Sequence, residues 1–233
     1  VVVLPCGAGK TMVGMGVMEL AATETLILTT NVVALRQWIS ELLDKTDLPH
    51  SAVKEYSGEI KELGPVTVTT YQILIHRKRA DAIEYPHFAL FNQKNWGLII
   101  YDEVHLLPAP VFRITADLQA RRRLGLTATL VREDGREDEV FSLIGPKKFD
   151  KPWKELEAQN WIAQAHCHEV RVDLNSDDRL SYAVADERDK YRIAATNVNK
   201  IPLVQDIVQR HASDQVLVIG QYLDQLDTLA SIL

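Results

Sequence analysis

The first eleven residues constrain the fold most. A β-branched run, Val1-Val2-Val3-Leu4, leads directly into Pro5-Cys6-Gly7-Ala8-Gly9-Lys10-Thr11, and a helical pattern opens there and continues over 10–22. A strand that turns through glycines into a helix belongs to a sheet with helices on its faces, because the helix must carry the chain back along the sheet. The loop also has a chemistry. Gly7 and Gly9 lack Cβ, so the backbone there can take positive φ and approach a bound group closely. The amides of Gly7, Ala8 and Gly9 then form an anion nest, and the positive end of the helix points at the same spot. Lys10 adds a flexible point charge suited to the β- and γ-phosphates of ATP, and the Thr11 hydroxyl suits Mg2+. The ending Gly-Lys-Thr matches the Walker A consensus, although Leu4 stands where the strict pattern has glycine.

Short apolar runs alternate with helical patterns through the first 150 residues. Strands are expected at 1–4, 26–29, 52–56, 66–69, 98–101 and 123–126, and helices at 10–22, 32–43, 71–79 and 111–118. Apolar runs without alternation indicate strands covered on both faces, hence a mostly parallel sheet in a three-layer α/β domain. After Gly145-Pro146 the rhythm changes. The pattern predicts a polar helix over 147–162, an alternating strand over 165–174 and a charged helix or helix pair over 176–199. It then predicts a helix at 201–211, a buried strand at 216–219 and a helix at 223–233. The expected organisation is a domain over 1–150, a connector over 151–200 and the beginning of a second α/β domain over 201–233. Both ends of the chain are abrupt, which reads as a fragment of a longer protein.

Composition excludes several classes. With 46% hydrophobic and 25% charged residues, the chain is not disordered throughout. Lys plus Arg number 26 against 32 Asp plus Glu, so a nucleic-acid site must be a local patch rather than a basic module. Cys6 and Cys167, the two cysteines, make neither a disulfide framework nor a four-ligand zinc site, and a reducing intracellular setting is expected. There is no apolar run long enough to predict a membrane span.

A second chemical feature is the strand Leu98-Ile99-Ile100-Tyr101 ending in Asp102-Glu103-Val104-His105. Ligands of parallel sheets sit at the carboxyl ends of strands, so these carboxylates should meet the phosphate loop. Asp102 suits a cation-holding role, and Glu103 suits orienting or deprotonating an attacking water. A third segment, Leu124-Gly125-Leu126-Thr127-Ala128-Thr129, places hydroxyls at another strand end. Thr127 and Thr129 are placed to bond the carboxylates or His105 and to relay the state of the site.

Together these segments resemble superfamily-two helicases. Residues 7–11 are similar to motif I, 102–105 to motif II and 127–129 to motif III, while 29–38 and 68–71 resemble the intervening strand-end motifs. Leu4-Pro5-Cys6-Gly7-Ala8-Gly9-Lys10, Trp96-Gly97-Leu98 and the run from Leu124 into Arg132-Glu133-Asp134 resemble the XPB helicase family. That resemblance implies a RecA-like P-loop domain followed by a helical thumb-like segment and the start of a second RecA-like domain. It implies ATP and Mg2+ as cofactors, DNA as partner, 3'-5' movement, and repair or transcription proteins as further partners, in the cytoplasm or nucleoid of a prokaryote or the nucleus of a eukaryote. Glu103, Lys10 and His105 would be catalytic. Arg36, Gln37, Thr70, Arg132, Glu133 and Asp134 would face nucleic acid. An RNA helicase or a restriction-system motor, and an ATP-binding switch without unwinding, are the competing readings.

Other features favour plainer roles. Arg121-Arg122-Arg123 reads as a solvated helix end, His166-Cys167-His168 alternates faces awkwardly for metal, and Trp38, Trp96, Trp153 and Trp161 read as packing residues.

Overall fold

The unbroken apolar runs become strands buried along their whole length: Thr25–Thr29 (β2) and Val66–Thr70 (β4) are buried at every position. The computed structural model describes residues 1–76, 85–92, 94–106, 115, 117–129 and 137–233. These fall into two units, Val1–Gln164 and Ala165–Leu233.

In the first unit the remaining strands are Val2–Val3 (β1), Val53–Tyr56 (β3), Trp96–Asp102 (β5), Ala120–Thr127 (β6) and Phe149–Asp150 (β7). The seven form one sheet in the order β3-β4-β2-β5-β6-β1-β7, and every pairing is parallel. The helices are Lys10–Ala21 (α1), Val32–Lys45 (α2), Tyr71–Leu74 (α3), Pro86–Asn92 (α4), Glu137–Ile144 (α5) and Trp153–Ala158 (α6). Strand alternation divides the core between two faces. Ile27, Leu98 and Ile100 pack with Met15 and Met18 of α1 and Leu35, Trp38 and Leu42 of α2. Leu26, Leu28, Ile99 and Tyr101 pack with Tyr71, Ile73, Phe91 and Val140 on the other face.

Helix α2 shows why these segments are helical. Leu35, Trp38 and Leu42 recur on one face and are all buried. The Asn31 side chain caps the first turn by accepting from the Ala34 amide at 2.9 Å. At the other end the Thr46 hydroxyl donates to the Leu42 carbonyl at 2.6 Å, closing the last turn.

Several sequence expectations are corrected here. Residues 121–123 lie inside β6, not at a helix end, because β6 extends back to pair with the start of β5. The helix expected over 147–162 is confined to α6, because residues 149–150 add a strand to the free edge of β1. The helix from Tyr71 stops at Leu74. Trp38 and Trp96 are buried, whereas Trp153 and Trp161 are exposed. Most of the helix expected over 111–118 lies outside the described residues.

The second unit contains the helices Ser176–Val184 (α7), Glu187–Ala195 (α8), Lys200–Arg210 (α9) and Leu223–Ile232 (α10) among its described residues. Asn175 caps α7 and Asp186 caps α8, each accepting an amide three residues on. The charged stretch is therefore a helix pair. The strands expected at 165–174 and 216–219 do not form: Leu217 is 81% and Ile219 85% exposed. No described strand lies beside either segment to complete a ladder, and an extended run alone satisfies its amides with water.

Candidate phosphate and cation site

The loop between β1 and α1 adopts the backbone its glycines permit. Gly7 has φ 76° and Gly9 has φ 83°, both left-handed, and Gly9 is the residue preceding α1. A Cβ built at Gly7 meets nothing within 4 Å, so this part of the loop borders open space. Lys10 stands at the first helical position, its Nζ 3.5 Å from the Leu4 carbonyl and 3.0 Å from Glu103 Oε1.

The acidic strand end faces this loop from β5. Asp102 is the last strand residue; Glu103 leaves the strand at φ 48°, a left-handed conformation that costs a non-glycine residue energy. The turn aims the two carboxylates differently. Asp102 Oδ2 accepts from Trp38 Nε1 at 2.9 Å, and its Oδ1 accepts from the Glu103 amide at 3.1 Å. The Asp102 backbone carbonyl accepts from the buried Tyr71 hydroxyl at 2.7 Å. Glu103 Oε2 accepts from the Ala128 amide at 3.3 Å and lies 3.4 Å from His105 Nδ1. Burial pushes the Asp102 carboxyl above its ordinary value; the Trp38 N–H opposes this, the Glu103 charge adds to it, and Lys10 and the Glu103 amide oppose it further.

Thr127 forms a hub. Its hydroxyl donates to the Thr129 carbonyl, accepts from the Thr129 amide at 3.3 Å and lies 2.7 Å from His105 Nδ1. A hydroxyl has one proton, already committed to Thr129, so the contact with His105 makes Nδ1–H the donor. The third strand end is thereby tied to the acidic one.

One cavity of about 500 Å³ collects Cys6, Gly7, Gly9, Lys10 and Thr11 with Asp102 and Glu103. Gln37, Trp38 and Glu41 of α2 line it as well. The donor set fits a phosphate chain: positive-φ glycines with open space in front, a helix N-terminus and a lysine. For a divalent cation the chain offers the Thr11 hydroxyl and the Asp102 carboxylate. No cluster of three His, Cys, Asp or Glu occurs among the described residues. The set thus suits a cation that takes its other ligands from phosphate and water, the habit of Mg2+-sized ions.

The nucleic-acid candidates are less gathered. Arg36 on α2 is paired with Glu59 at 2.7 Å and with Glu55 at 3.6 Å. Gln37 bonds Glu41 on its own helix at 2.9 Å. Thr70 is buried, 5% exposed, between β4 and α3. Arg132, Glu133 and Asp134 lie outside the described residues. His166 and His168 are exposed and share no metal cluster. The sequence reading missed Trp38 and Glu41 as site residues. Trp38 was assigned to packing, and nothing in its local pattern signals that its N–H meets a carboxylate 64 positions away.

A parallel sheet with a glycine loop after its β1 strand, facing an Asp-Glu strand end, defines the RecA-like class of P-loop domains. Residues 1–132 match the family described as type III restriction enzyme, res subunit, and the chain belongs to that family. Among curated relatives, a protein named DNA 3'-5' helicase XPB from Kineococcus radiotolerans is 59% identical over 231 residues, covering 99% of this chain and 41% of the relative. The general transcription and DNA repair factor IIH helicase/translocase subunit XPB of Antonospora locustae is 33% identical over 236 residues, covering 95% of this chain and 34% of the relative. The chain therefore spans well under half the length of these relatives. The fold is shared with the Hef helicase domain of Pyrococcus furiosus, at 18% identity and TM-score 0.56 over 99% of this chain and 48% of that one. The XPB resemblance drawn from the motifs is thus carried by sequence similarity along nearly the whole chain.

Proposed function

We propose that the chain is part of the motor of an XPB-type helicase or translocase that couples ATP hydrolysis to 3'-5' movement on DNA and to duplex opening. The observation that carries this reading is the convergence of Lys10, Thr11, Asp102 and Glu103 on one cavity. In it the amides of Gly7, Ala8 and Gly9 and the Lys10 ammonium bind the ATP phosphates. Thr11 and Asp102 hold Mg2+, which when bound would neutralise charge on the β- and γ-phosphates. Glu103 orients or deprotonates the attacking water, and the Glu103–His105–Thr127–Thr129 network reports nucleotide state to the neighbouring strand end. Residues 1–150 act as the first RecA-like lobe, 151–200 as connector and thumb-like segment, and 201–233 as the beginning of the second lobe.

On this reading Arg36, Gln37, Thr70 and the Arg132-Glu133-Asp134 segment serve the DNA side, where contacts to phosphate dominate and weaken with salt. Repair or transcription proteins are the expected partners, in line with the name of the Antonospora relative, and the setting is intracellular, nucleoid or nuclear. Among the described residues no helix is long and apolar enough to cross a membrane.

The test is ATP hydrolysis by a polypeptide that carries these residues together with both motor lobes, with forked DNA, duplex DNA, RNA or no nucleic acid added. Stimulation by DNA and not by RNA is expected. Stimulation by RNA alone would overturn the XPB-type assignment, and no stimulation by either would leave a nucleotide-driven switch in its place.

A further inference from the structure

Helix α2 reaches the site at two points. Trp38 Nε1 donates to Asp102 Oδ2 at 2.9 Å. The indole is 3% exposed, and its ring lies so close to α1 that a Cβ on Gly14 would stand 2.6 Å from Cη2. An indole N–H is a donor only and never ionises near neutral pH, so it holds one oxygen of the carboxylate in place permanently. Three residues on, Glu41 lines the same cavity as Thr11. Glu41 is itself oriented by Gln37 Nε2 at 2.9 Å and by Lys45 Nζ at 3.1 Å, both from its own helix. Residues three apart on a helix share a face, so one surface of α2 borders the cavity that holds both residues the chain offers to a cation.

We propose that Trp38 is a positioning residue for the cation site: its N–H fixes one oxygen of the Asp102 carboxylate and so sets how that carboxylate meets the cation. The inference rests on the cation-assisted phosphate reading above and deepens it. Outer partners of this kind orient ligands, and their loss typically weakens metal affinity by about 10–100-fold.

The experiment is ATP binding by the 233-residue chain, by equilibrium dialysis, across a Mg2+ series and in EDTA. The variants are Trp38→Phe and β-(3-benzothienyl)alanine at position 38, which keeps the indole shape and loses the N–H. The Mg2+ concentration for half-maximal ATP binding should rise about 10–100-fold in Trp38→Phe and in the benzothienyl variant. Binding in EDTA should stay at the native value, and the benzothienyl variant should melt below the native chain, because Asp102 Oδ2 loses its 2.9 Å donor. An unchanged Mg2+ requirement, or an equal loss with and without Mg2+, overturns the inference while leaving the site reading intact. Failure of the native chain itself to bind ATP in a Mg2+-dependent way overturns both, and that arm separates the two failures.

Discussion

Lys10 Nζ and Glu103 Oε1 lie 3.0 Å apart, so the cation of the glycine loop and the carboxylate of the strand end neutralise each other across the cavity. Phosphate entering the loop must compete with Glu103 for Lys10. Both side chains are mostly shielded, at 12% and 25% exposure, so the pair is screened less than a surface one.

Glu103→Gln removes this competition and the proton acceptor together. ATP affinity is expected to hold or tighten, while turnover in a polypeptide with both lobes falls by about 10²–10⁴, the usual contribution of a general base. Calorimetric titration and single-turnover hydrolysis check the two halves. Undiminished turnover would remove Glu103 from the water-activating role. Lys10→Ala, in contrast, should weaken ATP binding itself.

Gly14→Ala and Gly16→Ala make a matched pair within α1. A methyl at Gly14 meets the Trp38 ring at 2.6 Å, whereas one at Gly16 meets nothing within 4 Å. Both changes improve helix propensity equally, so their difference isolates the contact with Trp38. Gly14→Ala should destabilise by about 1–3 kcal/mol through overpacking. Gly16→Ala should stabilise by roughly 0.5–1 kcal/mol. Urea unfolding of the two variants beside the native chain measures both signs, and equal midpoints would contradict the packing geometry.

Tyr71→Phe deletes the donor to the Asp102 carbonyl and leaves that buried oxygen without the 2.7 Å bond. A loss of about 1–3 kcal/mol is expected. Burial holds the phenol well above its usual value, with the nearby Asp102 charge adding, so the hydroxyl stays protonated. The loss should therefore be the same near about pH 6 and about pH 9, read by denaturant unfolding at each.

Asp102 gives stability a pH dependence of definite sign. Its folded pKa stands above the ordinary 3.8, chiefly through burial. A carboxyl shifted in that direction favours folding below the unfolded value, and the contribution is lost as pH rises through the folded value. Asp102→Asn lacks it at every pH. The difference in thermal midpoint, variant minus native, should therefore grow between about pH 4 and about pH 7, whatever constant cost the amide imposes. A flat or falling difference would contradict the raised value.

Sequence by itself determined the local order of this protein. The glycine loop after β1, the helix α2 and the apolar runs of β2, β4 and β5 were all legible, because strand and helix periods and the freedom of glycine act over a few residues. So was the placing of Lys10 at the start of α1 and of Asp102 and Thr127 at the ends of their strands. Only the tertiary structure decided what those residues meet. Trp38 finds Asp102, and Glu41 lines one cavity with Thr11, because α1 and α2 pack on the same face of a sheet whose order, β3-β4-β2-β5-β6-β1-β7, is set by crossovers between distant segments. Apolar runs alone misled where no neighbour exists. Residues 216–219 have the composition of an inner strand and remain exposed, because a strand needs a partner ladder that its own residues do not specify.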